Sequence, residues 1–237
     1  MKPVAIFRHA SHIGPGYFSE YLDAHGFPWT LIAIDEGLSV PSSVEAFSGL
    51  CFMGGPKSVN DDLPWIAEEL VLIRQAVASN VPVIGHCLGG QLLAKALGGR
   101  VGRNPVKEIG WTRIFAEDNP EARRWLGETR EFPAYEWHGE TFELPEGAVR
   151  ILANEACANQ AFVLGPHLGM QCHPEVTEAL VDNWNRIDWP REIRGLNKIP
   201  PSMMGPERQA ALLDENLPRM RALLTDVLYG SWVRGLA

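Results

Sequence analysis

A cysteine flanked by glycines marks the place where this sequence could perform nucleophilic chemistry. Cys87 lies in the segment 85–91 (GHCLGGQ), directly after the apolar run 81–84 and before residues with helical spacing. This is the thiol counterpart of the G-x-S-x-G elbow, in which a sharp strand-to-helix turn lifts the nucleophile clear of the sheet. The amides and positive dipole end of the following helix favour a thiolate, and the N–H of Leu88 is placed to face an oxyanion. Taken alone, the pattern is equally typical of a tight structural turn.

A histidine and a glutamate two positions apart offer the base that a thiolate nucleophile needs. His173 and Glu175 lie in the segment 173–175 (HPE), after an apolar run. Such a base takes up one proton and returns it to the leaving group. Because positions two apart in an extended chain face the same side, Glu175 is predicted to reach the imidazole and fix its tautomer. A lone His-x-Glu is more often a surface feature at a strand end.

The conjunction of three segments favours a catalytic set over these purely structural interpretations. A Gly-Gly-Pro turn at 54–56 follows another apolar strand, so the turn, the cysteine and the histidine all come after predicted strands. Open α/β sheets place their sites at the carboxyl ends of the strands. We therefore expect the three segments to meet at one edge of the sheet.

The elements that would position these residues alternate between short apolar runs and helical patterns. Strands are predicted at 4–7, 29–34, 50–53 and 81–84, with helices between them. Fully apolar strands separated by helices predict an α/β fold with a mostly parallel central sheet and helices on both faces. Beyond residue 100, short runs with turn-like spacers predict a small antiparallel region: 111–115, 150–153, 160–164 and 168–172.

The last fifty residues carry several prolines and glycines, so an irregular tail from residue 185 is expected before a final helix. Pro218 is predicted to open that helix, because proline breaks a helix interior. Its buried stripe would be Met220, Leu223, Leu224, Val227 and Leu228. Since no repeat or linker occurs, one domain over 1–237 is predicted, with a core at about 1–184 and a C-terminal extension at 185–237.

Composition excludes several classes of protein. The 237 residues are 46% hydrophobic and 21% charged, with a net charge of −8, which disfavours binding to nucleic acid or to an anionic membrane. No apolar run approaches the ~20 residues of a membrane span, and the first residues lack a signal-peptide pattern. A cytoplasmic protein is therefore expected. The four cysteines form no C-x-x-C pair, so we expect neither disulfides nor a metal, and no cofactor.

Other conspicuous residues are assigned to packing. His86 is expected to face outward, as an unremarkable turn residue or, alternatively, in contact with substrate. Only Trp111 and Trp137 among the eight tryptophans fall near the predicted site. The remaining cysteines are expected to fill the interior or to have no role: Cys51, Cys157 and Cys172.

The segments 54–58 (GGPKS), 85–91 and 171–175 (QCHPE) resemble, in order and spacing, the three signature blocks of class I glutamine amidotransferase domains. The resemblance runs from the first strand to about residue 184. Two further segments, 108–111 (EIGW) and 137–142 (WHGETF), resemble the stand-alone subgroup similar to the amidotransferase domain of guanylate synthase. The resemblance implies a flavodoxin-like three-layer fold.

Carried over by position, the resemblance implies that Cys87 is the nucleophile, His173 the base and acid, and Glu175 the orienting carboxylate. Gly55 and Leu88 would donate backbone N–H groups to the oxyanion. The implied glutamine pocket is formed by Gly54, Gln91, His138, Gly139 and Glu140, with backbone at the last two holding the α-amino and α-carboxylate groups. The implied reaction releases ammonia from glutamine and hydrolyses a γ-glutamyl thioester.

Three functions stay open at this point. Because the chain has no P-loop, a glutaminase would pass ammonia to a separate synthetase or acceptor protein, or act as a free hydrolase. The same thioester chemistry would serve a γ-glutamyl peptidase, whose substrate loops are expected at 8–16, 100–110 and 130–142, with Arg8 and His12 receiving the leaving group. A non-catalytic regulator on the same fold is the third possibility. The sequence sets no oligomeric state.

Overall fold

A nine-stranded sheet forms the centre of the molecule in this computed structural model, which describes residues 1–236. The strands, in chain order, are β1 (Val4–Arg8), β2 (Trp29–Ala33), β3 (Gly49–Phe52), β4 (Val83–His86), β5 (Val101–Ala116), β6 (Glu131–Phe142), β7 (Val149–Ala153), β8 (Ala161–Leu164) and β9 (His167–Met170). Their order across the sheet is β2-β1-β3-β4-β9-β8-β7-β5-β6.

The two halves of the sheet differ in strand direction. Strands β2, β1, β3, β4 and β9 are parallel, and Ile84 of β4 is in register with Leu168 of β9. From β9 onward the pairs are antiparallel. The predicted fold class, a parallel core with an antiparallel region, is therefore confirmed. The strand that leads to Cys87 and the strand that leads to His173 are immediate neighbours, so their carboxyl ends meet.

Helices cover both faces of the sheet. They are α1 (Tyr17–Ala24), α2 (Pro64–Ala78), α3 (Leu88–Ala96), α4 (Pro120–Leu126), α5 (Glu178–Ile187), α6 (Trp189–Glu192), α7 (Pro206–Ala211), α8 (Leu213–Met220) and α9 (Asp226–Val233). Side chains of β1 alternate between two apolar clusters: Val4 and Ile6 pack with residues of α1 and α9, whereas Ala5 and Phe7 pack with residues of α2 and α3. No helix within residues 1–236 combines the length and apolarity that crossing a bilayer requires.

Strand β5 is longer than the sequence predicts, and β6 is a strand where the sequence predicts a loop. Residues 100–110 and 130–142 were expected to be substrate loops, but most of both segments is paired in one antiparallel ladder from Val101–Phe142 to Phe115–Glu131. The register shifts between Arg103 and Glu108, which bends the ladder. The outer face of this ladder lines a cavity rather than the core, so it carries polar residues. Because of these polar residues, the sequence lacks the apolar pattern that predicts a strand.

The C-terminal segment departs from the prediction in two ways. Residues 193–205 form no helix or strand, as predicted for the tail, but short helices lie before and after them. Pro218 lies inside α8 instead of opening a helix. A π-helical turn at Arg221–Thr225 follows, in which the amide of Asp226 donates to the carbonyl of Arg221. Burial of Met220 and Leu224 holds this segment to the sheet, and these two residues are fully buried as predicted.

Candidate active site

Cys87 occupies the sharp turn between β4 and α3. Its φ of 50° and ψ of −104° lie in a region that residues with a side chain rarely adopt. The Cys87 amide donates to the carbonyl of Met170 at 2.8 Å, which joins the turn to β9. Helix α3 starts at the next residue, so Cys87 stands at the N-terminal end of that helix. This geometry is that of a nucleophile elbow.

Glycines flank Cys87 because the neighbouring backbone leaves no room for side chains. A Cβ atom on Gly85 would lie 2.3 Å from the backbone of Gly89, and one on Gly89 would lie 1.9 Å from the carbonyl oxygen of Phe52. Both distances are far below van der Waals contact. The glycine pattern around the cysteine therefore has a packing cause, independent of any chemistry.

His173 and Glu175 follow β9 and form a buried pair. The Nδ1 atom of His173 lies 2.7 Å from Oε1 of Glu175. The His173 amide donates to the carbonyl of Tyr135 at 2.8 Å, and the amide of Tyr17 donates to the carbonyl of Glu175 at 2.8 Å. Strand β6 and the start of α1 thus hold the two side chains in register, with Nε2 of His173 free to face Cys87.

The electrostatics of this pair favour an imidazolium beside a carboxylate. Burial alone would lower the pKa of His173, but the charges of Glu175 and Cys87 and the hydrogen bonds to them raise it well above its usual value. Burial would likewise raise the pKa of Glu175, yet the positive charge of His173 lowers it. The imidazole is thereby equipped to hold a proton next to the sulfur.

The Gly54-Gly55 turn follows β3 and borders both His173 and α3. A Cβ on Gly54 would lie 3.0 Å from Cε1 of His173, and one on Gly55 would lie 2.7 Å from Cδ2 of Leu88. His9 fastens this turn: its Nδ1–H donates to the carbonyl of Met53 at 3.0 Å. The predicted oxyanion donors, Gly55 and Leu88, are therefore neighbours, and their role stays a prediction.

The other nitrogen of His9 reaches a glutamate that sequence reasoning missed. Its Nε2 lies 3.1 Å from both carboxylate oxygens of Glu69 in α2, and both side chains are fully buried. Burial alone would lower the pKa of His9, but the charge of Glu69 raises it. Glu69 faces inward and interrupts the apolar stripe of α2. This interruption was the only feature of the sequence that could have indicated a buried glutamate here.

Two glutamines connect α3 to the cysteine. Gln91 donates from Nε2 to the carbonyl of Glu140 and to Oε1 of Gln171, both at 3.2 Å. Gln171 in turn donates from Nε2 to Sγ of Cys87 at 3.5 Å. Gln171 was not assigned a role from the sequence, although it opens the 171–175 block. Its fully buried amide is directed at the sulfur.

His138 lies at the cavity wall but is engaged by the protein on both sides of its ring. Nδ1–H donates to the carbonyl of Glu140 at 2.9 Å, and Nε2 lies 3.0 Å from Oε2 of Glu108. The carbonyl of Glu140 is thus shared between His138 and Gln91. Gly139 is covered by the Lys107 side chain, whose Cε would lie 2.8 Å from an added Cβ. The predicted substrate contacts of Gly139 and Glu140 stay predictions.

A tryptophan from the C-terminal part of the chain packs against the candidate base. The ring of Trp184 in α5 meets the His173 ring edge-on, with 4.7 Å between centroids. Trp137 contacts Trp184 and presents its backbone carbonyl 3.8 Å from the Cys87 sulfur. The expectation that only Trp111 and Trp137 lie near the site was therefore wrong. Trp184 lies only eleven residues after His173, and it was missed because the sequence does not show that α5 folds back onto the imidazole.

His86 is a buried structural residue rather than an outward turn residue. It is fully buried, and its Nε2 accepts a hydrogen bond from the Tyr229 hydroxyl of α9 at 3.0 Å. Burial lowers the pKa of His86 to about 4, so the ring is neutral. The three remaining cysteines are buried as expected, including Cys157, which lies in a turn between β7 and β8.

A cavity of ≈ 700 Å³ opens over Cys87 and His173. Arg8 and His12 do not line it, which corrects their predicted role. Arg8 is held by Asp35 at 2.9 Å, and His12 by Asp188 at 2.9 Å. The basic side chains that do line the cavity are Lys57, Arg103, Lys107 and Arg191.

Known protein families and solved structures resemble this chain in sequence and in fold. The sequence model of the family "Glutamine amidotransferase class-I" matches residues 19–183. A crystal structure of a glutamine amido transferase from Methylobacillus flagellatus is 42% identical, with a TM-score of 0.95 over 100% of this chain and 96% of that one. A subunit of the glutamine-hydrolyzing GMP synthase of Sulfolobus acidocaldarius is 36% identical over 61% of this chain and 76% of its own. Gamma-glutamyl peptidase 3 of Arabidopsis thaliana is 27% identical over 70% of this chain and 71% of its own. With about two thirds of its length matched by the family model, the chain belongs to the class I glutamine amidotransferase family.

Proposed function

We propose that the protein hydrolyses the side-chain amide of glutamine through a γ-glutamyl thioester on Cys87, with His173 as acid and base and Glu175 as its orienting carboxylate. One observation carries the proposal: a cysteine in a strained elbow shares a cavity with a buried His173–Glu175 pair in which Nδ1 and Oε1 are 2.7 Å apart. Family membership supports the same assignment.

In the first half of the reaction, the thiolate of Cys87 attacks the carbonyl carbon of the amide and forms a carbon–sulfur bond. The carbonyl π electrons move to oxygen, and the tetrahedral oxyanion is stabilised by backbone N–H groups of Gly55 and Leu88. His173 then donates its Nε2 proton to the amide nitrogen. The carbon–nitrogen bond breaks, ammonia leaves, and the γ-glutamyl group remains on sulfur as a thioester.

In the second half, His173 acts in the opposite direction. Its neutral Nε2 takes a proton from a water molecule while the water oxygen attacks the thioester carbon. The carbon–sulfur bond breaks, glutamate leaves, and the thiolate–imidazolium pair is restored. Glu175 keeps the imidazole in one tautomer and stabilises its charge in both halves. Gln171 stabilises the sulfur, because its amide points at Sγ from 3.5 Å.

Glutamine itself would be held beside α3. We assign this to Gln91 and to the turn and strand segments at Gly54 and at Gly139-Glu140, which border the cavity together with His138. The ammonia would pass to a separate acceptor-activating protein. The similarity to the GMP synthase of Sulfolobus acidocaldarius supports this arrangement, since the matched relative is one subunit of a glutamine-hydrolyzing synthase.

A second candidate, a γ-glutamyl peptidase, is favoured by the size and charge of the cavity. Its ≈ 700 Å³ lies in the upper part of the range for drug-sized ligands, about 300–1,000 Å³, and exceeds what one amino acid needs. Lys57 and Arg103 on its wall would suit the free carboxylate of a γ-glutamyl dipeptide. The similarity to gamma-glutamyl peptidase 3 supports this alternative.

The two candidates are separated by measuring ammonia release from glutamine and amino-acid release from γ-glutamyl dipeptides on the same preparation. The glutaminase proposal predicts the higher kcat/KM for glutamine, and the peptidase alternative predicts the reverse. Cys87→Ala should abolish whichever activity is found, because both start with the same thioester. Turnover that persists in Cys87→Ala would contradict both.

A further inference from the structure

Three buried groups with metal-binding side chains converge behind the cavity wall, and a fourth lies beside them. They are Glu108 of β5, Glu136 and His138 of β6, and Cys157 of the turn between β7 and β8. Ligand atoms of Glu108, His138 and Cys157 all lie within 4.8 Å of one another. Glu136 adds a carboxylate oxygen 3.5 Å from Nε2 of His138. Because these four residues are spread over about fifty positions of the sequence, no short spacing motif predicts the cluster.

The orientation of His138 is that of a metal ligand. Its Nδ1–H donates to the backbone carbonyl of Glu140 at 2.9 Å, which fixes the tautomer and turns Nε2 toward the acidic groups. Nε2 lies 3.0 Å from Oε2 of Glu108. In a tetrahedral zinc site with bonds of about 2.0–2.2 Å, adjacent ligand atoms lie roughly 3.4 Å apart. The imidazole and this carboxylate are therefore within about 0.4 Å of the spacing that one shared ion requires.

Glu136 is an independent indication that a cation belongs here. Its side chain is fully buried, and neither carboxylate oxygen has a hydrogen-bond partner among residues 1–236. Buried polar atoms are nearly always partnered, so two unpartnered acidic oxygens leave a place for a cation or a proton beside them. No lysine or arginine of the described chain forms an ion pair with Glu136.

Outer hydrogen bonds orient the other ligands. Asn154 donates to Oε1 of Glu108 at 2.8 Å, and Gln160 donates to Oε2 of Glu108 at 3.1 Å. The hydroxyl of Thr141 lies 3.3 Å from Sγ of Cys157 and would donate to a thiolate there. Metal ligands in proteins are held by partners of this kind.

We propose that Glu108, Glu136, His138 and Cys157 bind one zinc-class divalent cation in a closed structural site. Four protein ligands of nitrogen, oxygen and sulfur type suit zinc, and full coordination by the protein leaves no position for a substrate. The ion would tie β5 and β6 to the turn that carries Cys157. It would thereby hold the Glu140 carbonyl, and with it Gln91, in place at the cavity wall.

The test is metal binding by the full chain carrying Cys87→Ala, which removes the other thiol–imidazole pair that could take up zinc. After treatment with a chelator, the protein is titrated with Zn²⁺ and, for a spectroscopic signature, with Co²⁺. One equivalent of ion per chain is expected, with a thiolate-to-cobalt charge-transfer band. Cys157→Ser in this background should abolish the band, whereas the matched control Cys51→Ser, which removes a buried thiol elsewhere, should retain it.

If Cys157→Ser fails to fold, a second variant tests the metal site. Glu136→Gln in the same background should weaken Zn²⁺ binding at least tenfold while circular dichroism shows an unchanged fold. Failure of the Cys87→Ala protein to bind a stoichiometric ion would overturn the proposal. Equal affinity in the Glu136→Gln protein would overturn the assignment of that ligand.

Discussion

The imidazole of His173 and the carboxylate of Glu175 form a pair in which Nδ1 lies 2.7 Å from Oε1 and both side chains are buried. Such a pair sets two properties of the site at once. It directs the remaining ring nitrogen toward Cys87, and it raises the pKa of His173 through the negative charge of Glu175 after the opposing effect of burial. The pH dependence of activity therefore reports on this contact.

Glu175→Gln should lower kcat by roughly 10²–10⁴, the size of effect seen when an orienting carboxylate loses its charge in a comparable triad. Without that charge the pKa of His173 falls, so the alkaline limb of the kcat/KM profile should move to lower pH. Activity measured from acid to alkaline pH tests both expectations. Glu178→Gln, an exposed substitution at the start of α5, should leave the profile unchanged. An unshifted limb in Glu175→Gln would contradict the pairing.

Relief of backbone strain should make Cys87→Gly more stable than Cys87→Ala by about 1 kcal/mol. The φ of 50° costs a residue with a Cβ about 1–3 kcal/mol, and the greater unfolded-chain entropy of glycine offsets about 0.5–1 kcal/mol of that gain. Urea unfolding measures the difference. Ala94→Gly in the interior of α3 is the matched control and should be destabilising, by about 1 kcal/mol. A less stable Cys87→Gly would mean that the elbow is unstrained.

Close packing of the elbow predicts a large effect at one glycine and almost none at another. Gly89→Ala should destabilise by about 3 kcal/mol or abolish folding, because its Cβ would lie 1.9 Å from the carbonyl of Phe52. Gly102→Ala in β5 meets no atom within 4 Å and should change the free energy of unfolding by less than about 0.5 kcal/mol. Thermal and urea unfolding of the two variants check this contrast, and equal stabilities would refute the packing argument.

The His9–Glu69 pair should make stability depend on pH. Since the pKa of His9 is raised in the folded state, its contribution is complete below about pH 6.5, the unfolded value, and is lost as pH rises through the folded pKa. Glu69→Gln removes the charge that raises this pKa. The stability difference between wild type and Glu69→Gln should therefore be largest near pH 6, roughly 3 kcal/mol, and should shrink toward pH 9. A difference that grows with pH would contradict the assignment.

The parts of the site that could be predicted are those whose cause is local in sequence. The glycines around Cys87 predict a turn, because backbone contacts exclude side chains there. The apolar strands on either side predict the parallel sheet. The two-residue spacing of His173 and Glu175 corresponds to the contact between them. That these residues are catalytic, and that the chain is one domain, stay predictions.

The parts that could not be predicted depend on contacts between distant elements. Glu69 holds His9 across 60 positions of the chain, and Tyr229 donates to His86 across 143. Trp184 is only eleven positions from His173, but their contact depends on how α5 folds back over the site. Local propensity also misplaced Pro218, because burial of the neighbouring residues in the core outweighs the hydrogen bond that proline removes. Such contacts follow from tertiary packing, which no local pattern encodes.

Covalent labelling distinguishes Cys87 as the nucleophile from the other three cysteines. The folded, reduced protein is incubated with an electrophilic glutamine analogue, and the intact mass and its peptide map are measured. We predict one adduct per chain, located on Cys87, and none on Cys87→Ala. An unlabelled wild-type protein would contradict the assignment of Cys87 as the nucleophile. So would an adduct that forms, in place of Cys87, on one of the other three buried cysteines: Cys51, Cys157 or Cys172.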